Sequence, residues 1–225
     1  EMGIPFASLE RAFEVIENGF TREVDLFEAN GIPFVQMAGV GFDAMVIEET
    51  TWESKKMLGP LAYLLAAVRV LGEKPPQMRV TLADGRVVDG VAVLAGNGSL
   101  YGGPFPFFRM AENHDSKLDV LVYKEAGYRL VLDSLRGLAL GGIDLIESVE
   151  YFQTESFTVE ADREVPIEVD GELAGRYEKI RFVETANHLR VLAPEIQSGK
   201  RLTENLKAWL TWPRRQPEPA TARHA

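Results

Sequence analysis

The chain has 225 residues, of which 46% are hydrophobic and 26% charged, the composition of a globular protein with one large or two small domains. Its 24 basic and 34 acidic residues give a formal net charge of −10, which disfavours general binding to nucleic acid or to anionic lipid because both present phosphates. The absence of cysteine excludes disulfides and thiolate metal sites and fits a reducing cytoplasm.

The apolar segments indicate neither a secretory signal nor a membrane-spanning helix. The first residues lack the basic and apolar regions of a secretory signal. The longest apolar stretch, 61–71, is interrupted by Arg69 and is shorter than the roughly 20 residues that span a bilayer. We therefore expect a soluble cytoplasmic protein whose membrane contact, if any, is peripheral at the inner surface.

The first third of the chain predicts helices around one hairpin. Ser8 is placed to cap an amphipathic helix that ends at Asn18-Gly19. Asn30-Gly31 separates two apolar runs and is typical of a hairpin turn. The glycine-rich segment 39–44 is expected to open a helical stretch, and 61–71 to form a second helix.

The remaining pattern predicts mostly short strands. Val80 and Leu82 lead into the turn Asp84-Gly85, and the chain returns to Leu94. One helix is expected at 128–140, closed by two glycines. Further strands are expected at 118–122, 157–159, 165–169, 180–183 and 189–192. Short strands between turn residues indicate a mainly β fold, an antiparallel β-sandwich with a few covering helices.

These elements suggest four segments. Residues 1–20 form a leading helical segment, and residues 21–194 form the β-sandwich. Residues 195–212 contain a last amphipathic stretch. The proline-rich remainder, 213–225, has the composition of a disordered tail.

The turn Asp170-Gly171-Glu172 is the first candidate site. Val165, Ile167 and Val169 alternate, so these three are expected to face the core, with Glu168 and Asp170 facing outward. A carboxylate held at a strand end can accept a proton from a substrate hydroxyl. Asp-Gly is also a common hairpin turn, and the sequence leaves both interpretations open.

A glycine-rich segment, 96–103, follows an apolar strand and is the second candidate. Its dense glycines allow backbone N–H groups to approach a phosphate, with Asn97 and Gly98 as the candidate cofactor-binding residues. An irregular loop without ligand is the alternative. The chain contains neither a P-loop nor a GxGxxG motif.

An acidic segment, with Glu112, Asp115 and Asp119, is the third candidate. Carboxylate and carbonyl oxygens suit magnesium better than zinc, although a solvated turn would look the same. His114 is expected to be an exposed loop residue, since no second histidine stands at ligand spacing. The run 104–108, rich in phenylalanine, is expected to be core rather than a pocket for acyl chains.

The order of these motifs resembles that of the diacylglycerol kinase catalytic superfamily, the bacterial soluble lipid kinases related to sphingosine kinases. The motifs that carry the resemblance are Met2-Gly3-Ile4-Pro5, Glu23-Val24-Asp25-Leu26, Gly39 to Ala44, Gly59 with Tyr63, Gly96-Asn97-Gly98 with Tyr101-Gly102-Gly103, Leu118-Asp119-Val120, Asp170-Gly171-Glu172 and Leu189 to Pro194. Together they cover nearly all of the chain up to Pro194.

The resemblance implies a two-domain kinase whose active site lies between the domains, with this chain as its C-terminal β-sandwich. It implies that Glu172, beside Asp170, accepts the proton of the lipid hydroxyl. A structural Mg²⁺ would be held at Glu112, Asp115 and Lys117, partly through backbone carbonyls. ATP would be bound mainly by a Gly-Gly-Asp-Gly-Thr loop of the other domain, so the isolated chain is expected to be inactive.

Two residues depart from the family pattern, and other functions stay open. Ser116 stands where relatives have glycine after the aspartate, and Pro104 where they have a third glycine. A non-catalytic lipid- or partner-binding sandwich and kinship with NAD kinases are the alternatives.

The last amphipathic stretch, 202–212, would dock on the nucleotide domain. A lipid substrate and a homodimer are the partners considered, and nucleic acid is not.

Overall fold

The computed structural model describes residues 2–5, 8–49, 74–102, 105–125 and 127–195. The described residues divide into two compact units, one within residues 21–191 and a smaller one with residues 2–5, 8–20 and 192–195. The elements predicted at 61–71 and 202–212, and the tail 213–225, lie outside the described residues.

The smaller unit contains helix α1, Leu9–Asn18, as the sequence predicts. Ser8 caps it by accepting a hydrogen bond from the Arg11 N–H at 3.4 Å. Gly19 ends it in a left-handed conformation with φ of 67°, and its N–H donates to the Ile16 carbonyl. In the same unit the Ala193 N–H donates to the Phe20 carbonyl at 3.0 Å.

The larger unit is mainly β, which confirms the predicted fold class. Its strands are β1 Thr21–Ala29, β2 Ile32–Phe34, β3 Met37–Gly41, β4 Met78–Leu82, β5 Val87–Gly90, β6 Ala92–Gly96, β7 Leu100–Tyr101, β8 Phe105–Pro106, β9 Leu118–Tyr123, β10 Val149–Thr154, β11 Ser156–Val169 and β12 Glu172–Leu192. Helices α2, Phe42–Glu49, and α3, Tyr128–Leu140, accompany them, with a short 3-10 turn at Ile143–Leu145.

The strands pair antiparallel in the order β10-β9-β6-β3-β11-β12-β1-β2, and the β4–β5 hairpin attaches to β11. The pair β7–β8 stands apart. Strand β11 is the junction, because its first half pairs with β4 while residues 167–169 pair with β3. It pairs with β12 along both halves, with register shifts between Glu160 and Val165 and between Ile167 and Glu168.

Several predicted boundaries differ from the structure. The short strands expected at 157–159 and 165–169 are parts of the single long strand β11, and those at 180–183 and 189–192 are parts of β12. The reason is that bulges interrupt the pairing without ending the strand. Residues 39–41 belong to strand β3 and not to a helix, which begins only at Phe42.

Two buried clusters hold the larger unit together. One takes residues from β1 to β6, β9, β11 and β12, and within it Phe157 and Phe182 stack with ring centroids 4.3 Å apart and Phe34 meets Phe182 edge-on. The other contains Phe108, Tyr123 and neighbouring aliphatic residues from β9, α3 and the 3-10 turn. Across the described ranges no helix combines the length and the apolar character needed to cross a bilayer.

Candidate functional site

The turn between β11 and β12 is fixed from both sides. Asp170 and Gly171 have φ values of 49° and 88°, the left-handed geometry of a tight hairpin turn. The Asp170 carboxylate accepts hydrogen bonds from three successive backbone N–H groups, those of Val35 (2.9 Å), Gln36 (2.8 Å) and Met37 (3.1 Å). Asp170 therefore ties the turn to the segment between β2 and β3.

Glu168 does not face outward as the alternation predicts, and that prediction is wrong. Its side chain is fully buried, with one carboxyl oxygen accepting from the Tyr101 hydroxyl at 2.8 Å and the other from the Gly171 N–H at 2.8 Å. Strand β11 pairs regularly with β3 over residues 167–169, and all of 165–169 are buried, so the face that carries Glu168 is covered as well as the face of Ile167 and Val169. Glu168 thus braces the turn from the inside, in contact with the glycine-rich segment.

Glu172 is exposed, as is Asp170. It is the first residue of β12 and lies opposite Val169 in the β11–β12 ladder. The two residues before it are Asp170 and Gly171. The Asp170 carboxylate bonds to the segment 35–37, and the Gly171 N–H donates to the Glu168 carboxylate, so the backbone at Glu172 is constrained. The result is a solvent-accessible carboxylate on a fixed turn, the geometry that a proton acceptor needs.

The glycine-rich segment is tied to neighbouring loops through the side chain of Asn97. Asn97 is fully buried, and its Nδ2 donates to the main-chain oxygens of Asp25 (2.8 Å) and Val35 (2.7 Å). The Gln36 Nε2 donates to the Leu100 carbonyl at 3.0 Å. Gly98 is buried beside Asn97. The Asn97 side chain therefore links the glycine-rich segment to the backbone at Asp25 and at Val35.

The aromatic run after this segment divides between core and surface. Phe108 is completely buried, 5.9 Å from the Tyr101 ring, whereas Phe105 is 39% exposed. A side chain at Gly96 would overlap the Phe108 ring, since an added Cβ would lie 2.3 Å from it. For Phe108 the core interpretation is confirmed.

The predicted metal loop is a compact turn. The Asp115 Oδ1 accepts the Lys117 N–H at 3.1 Å, and Glu112 and Lys117 are exposed. Ser116 has φ of 61°, so it adopts the left-handed conformation that glycine would supply at this position. The departure from the family pattern is therefore accommodated by the backbone. One carboxylate and nearby carbonyls form a hard oxygen set, which fits Mg²⁺.

Asp119 does not join this loop, although the sequence groups the two. It is buried, where its carboxyl accepts hydrogen bonds from the Tyr151 hydroxyl and from the Gln153 Nε2. Burial raises the pKa of Asp119 to about 6, and the Tyr151 and Gln153 hydrogen bonds oppose that rise. Burial also raises the pKa of Tyr151, with its hydrogen bond to Asp119 acting in the same direction.

A chain of hydrogen bonds joins the metal loop to the turn. The Ser116 N–H donates to the Asp25 Oδ2 at 2.7 Å, and the Asp25 N–H donates to the Asn113 carbonyl at 2.9 Å. Asn97 then connects Asp25 with Val35, and Asp170 holds the next residues of that segment. Three motifs that are far apart in sequence are thereby brought into one region of the larger unit.

Sequence reasoning assigned no site role to residues on which this arrangement depends, among them Asp25, Gln36, Tyr101 and Glu168. Asp25 gave one usable signal, because a carboxylate directly between Val24 and Leu26 breaks an apolar run. It is only 4% exposed. The other three are ordinary strand or loop residues by pattern.

Comparisons with known proteins identify the family of this domain and several relatives. The family model described as "YegS C-terminal NAD kinase beta sandwich-like domain" matches residues 36–193. The chain is 26% identical over 203 residues to a Bacillus subtilis protein named "Diacylglycerol kinase", covering 86% of this chain and 64% of that protein. It is 33% identical over 177 residues to the Pseudomonas aeruginosa protein "Probable lipid kinase YegS-like", covering 77% and 57% respectively.

A solved structure gives the same fold. The crystal structure of a diacylglycerol kinase from Bacillus anthracis superposes with a TM-score of 0.64 at 25% identity, covering 86% of this chain and 64% of that chain. The chain spans about three-fifths of the length of the curated relatives that it matches over most of its own length.

Proposed function

Because this chain belongs to the family of the YegS C-terminal NAD kinase β-sandwich-like domain, we propose that it is the lipid-substrate part of an ATP- and Mg²⁺-dependent lipid kinase. The enzyme would phosphorylate the hydroxyl of diacylglycerol or a related lipid. The names of the relatives, diacylglycerol kinase and YegS-like lipid kinase, support the lipid kinase class.

The observation that carries the proposal is the exposed carboxylate of Glu172 on a turn fixed by its neighbours. The Asp170 carboxylate accepts hydrogen bonds from the N–H groups of residues 35–37, and Glu168 is buried, where it accepts from the Tyr101 hydroxyl. Of the three carboxylates at this turn, Glu172 is therefore the one free to meet a substrate hydroxyl. Asp170 acts as a positioning residue.

In the proposed reaction Glu172 accepts the proton of the lipid hydroxyl as that oxygen forms its bond to the γ-phosphorus of ATP. The bond between that phosphorus and the β–γ bridging oxygen breaks, and ADP leaves. An alcohol is a weak nucleophile until its proton has an acceptor, and the remaining catalysis comes from positioning the phosphoryl group and neutralising its charge.

The loop 112–117 would hold the structural Mg²⁺, which would order this loop when bound. Asp115 would contribute a carboxylate oxygen, and Glu112 and Lys117 backbone carbonyl oxygens. The Ser116 N–H bond to Asp25 fixes the shape of this loop. The chain has no Gly-Gly-Asp-Gly-Thr segment, so we expect the isolated 225-residue chain to transfer no phosphate by itself.

The test is Glu172→Gln in the natural protein that contains this chain, assayed for ATP-dependent phosphorylation of diacylglycerol in mixed micelles. Loss of a general base should lower kcat by roughly 10²–10⁴-fold. Glu178→Gln is the matched control, since Glu178 is also an exposed glutamate of β12. Equal activity of the two variants would contradict the role of Glu172.

The assay also separates the alternatives. A non-catalytic lipid- or partner-binding module would show lipid binding but no ATP-dependent turnover with any acceptor. NAD is included as a second acceptor, because the matched family is itself described as NAD kinase β-sandwich-like. Phosphorylation of NAD in preference to diacylglycerol would refute the lipid substrate while leaving the kinase class in place. Vesicle sedimentation tests peripheral membrane contact, and light scattering tests a homodimer.

A further inference from the structure

Asp25, Glu184 and His188 form a cluster that the proposed reaction does not use. Asp25 lies on β1, and the other two lie on β12, the neighbouring strand of the sheet. Glu184 and His188 are four residues apart, so strand alternation places both side chains on one face. One ligand atom from each of the three residues lies within 4.8 Å of the other two. The His188 Nδ1 is 3.3 Å from the Asp25 Oδ1.

The environment of Asp25 prepares this carboxylate to bind a cation. Its side chain is 5% exposed, and its Oδ2 is occupied by the Ser116 N–H, which leaves Oδ1 directed at His188. A second carboxylate, that of the half-buried Glu184, lies within the same small space. Two carboxylates this close repel each other, and a cation between them removes that cost.

A second observation lies beside Asp25. Asn97 donates its Nδ2 to the Asp25 carbonyl, yet its Oδ1 is buried and has no hydrogen-bond partner within the described part of the chain. A buried acceptor of this kind normally meets a donor, often an ordered water.

We propose that Asp25, Glu184 and His188 bind a divalent cation of the zinc or manganese class. One imidazole nitrogen with two carboxylate oxygens suits these ions, whereas Mg²⁺ and Ca²⁺ prefer oxygen donors alone. Three protein ligands leave a coordination position for water. The Ser116 N–H and the Asn97 amide then act as outer partners that hold Asp25 in place.

This site is separate from the loop 112–117 but touches it. The Asp115 carboxylate is not part of the cluster and bonds within its own loop. Asp25 nevertheless holds that loop twice, through the Ser116 N–H and the Asn113 carbonyl. Occupancy at Asp25 should therefore order the loop, and the proposal is independent of the lipid kinase assignment.

The experiment measures Zn²⁺ and Mn²⁺ binding to the metal-free chain by isothermal titration calorimetry, with His188→Gln and Glu184→Gln as variants. Either change removes one of three ligands and should weaken binding at least about tenfold. His114→Gln is the matched control, because His114 is an exposed histidine outside the cluster.

Asp25→Asn is a third variant, and because Asp25 is buried its fold is first checked by circular dichroism. Anomalous diffraction at the zinc edge should place the ion between the three side chains. Equal weakening in His188→Gln and His114→Gln, an anomalous peak elsewhere, or no binding below millimolar concentration would each overturn the proposal. None of these measurements depends on ATP or on lipid, so a failure here and a failure of the kinase proposal are distinguishable.

Discussion

Removing the Tyr101 hydroxyl should destabilise the protein measurably, because that hydroxyl donates to a carboxyl group with no exposure to water. Tyr101→Phe keeps the ring, which packs on Phe107 and Phe108, and deletes the 2.8 Å bond to Glu168. A lost hydrogen bond to a buried acidic group costs about 2 kcal/mol. For a chain of this size that corresponds to a fall in Tm of roughly 4–8 °C.

A double-mutant cycle with Glu168→Gln isolates the interaction in urea denaturation. The Tyr101 hydroxyl and the Gly171 N–H each donate to one oxygen of the Glu168 carboxyl, so a glutamine amide would set its NH₂ against one of these donors. The coupling energy should reach at least about 1 kcal/mol. Tyr177→Phe is the control, since the Tyr177 hydroxyl makes a longer bond, 3.3 Å, to a main-chain carbonyl from a half-buried position. Equal losses for Tyr101→Phe and Tyr177→Phe, or zero coupling, would refute the reasoning.

The remaining predictions concern stability. The folded-state pKa of Asp119, about 6, lies above its unfolded value near 3.9, so its contribution is present below pH 4 and lost as the pH rises through 6. The free energy of unfolding of the wild type, relative to Asp119→Asn, should therefore fall by up to about 3 kcal/mol over that window, and a flat difference would contradict the burial argument. Ser116→Gly should stabilise by up to about 1 kcal/mol, because serine is strained at φ of 61°. The same change at Ser156, a strand residue of β11, should instead destabilise by about 0.5–1 kcal/mol, and both are read from thermal melts.

The sequence located those elements whose ends are encoded locally. Helix α1 has a capping serine and a terminal glycine, and α3 ends at a glycine with φ of 88°, so both were predicted with their observed bounds. The Asn30-Gly31 turn was found for the same reason. Strand β10, Val149–Thr154, was missed because its sequence shows no clear alternation, and in the structure only its end residues are buried.

The site could be predicted only as separate motifs. The break between β2 and β3 is stabilised by the carboxylate of Asp170, which is 135 residues away from Val35. Glu168 is buried because both faces of this part of β11 are covered and because Tyr101, 67 residues away, meets it there. Neither fact leaves a periodic trace in the sequence, since both depend on contacts made only after the sheet has formed.

The two acidic residues of the turn should behave differently in mutagenesis for a reason that the contacts supply. Removing the Asp170 carboxylate releases three N–H groups and loosens the segment 35–37, which Asn97 joins in turn to Asp25 and the metal loop. Loss of activity in an Asp170 variant would therefore follow from disorder of several loops at once and would not identify a proton acceptor. None of these hydrogen bonds involves the Glu172 side chain. A Glu172 variant that folds normally but does not turn over is the observation that separates chemistry from positioning.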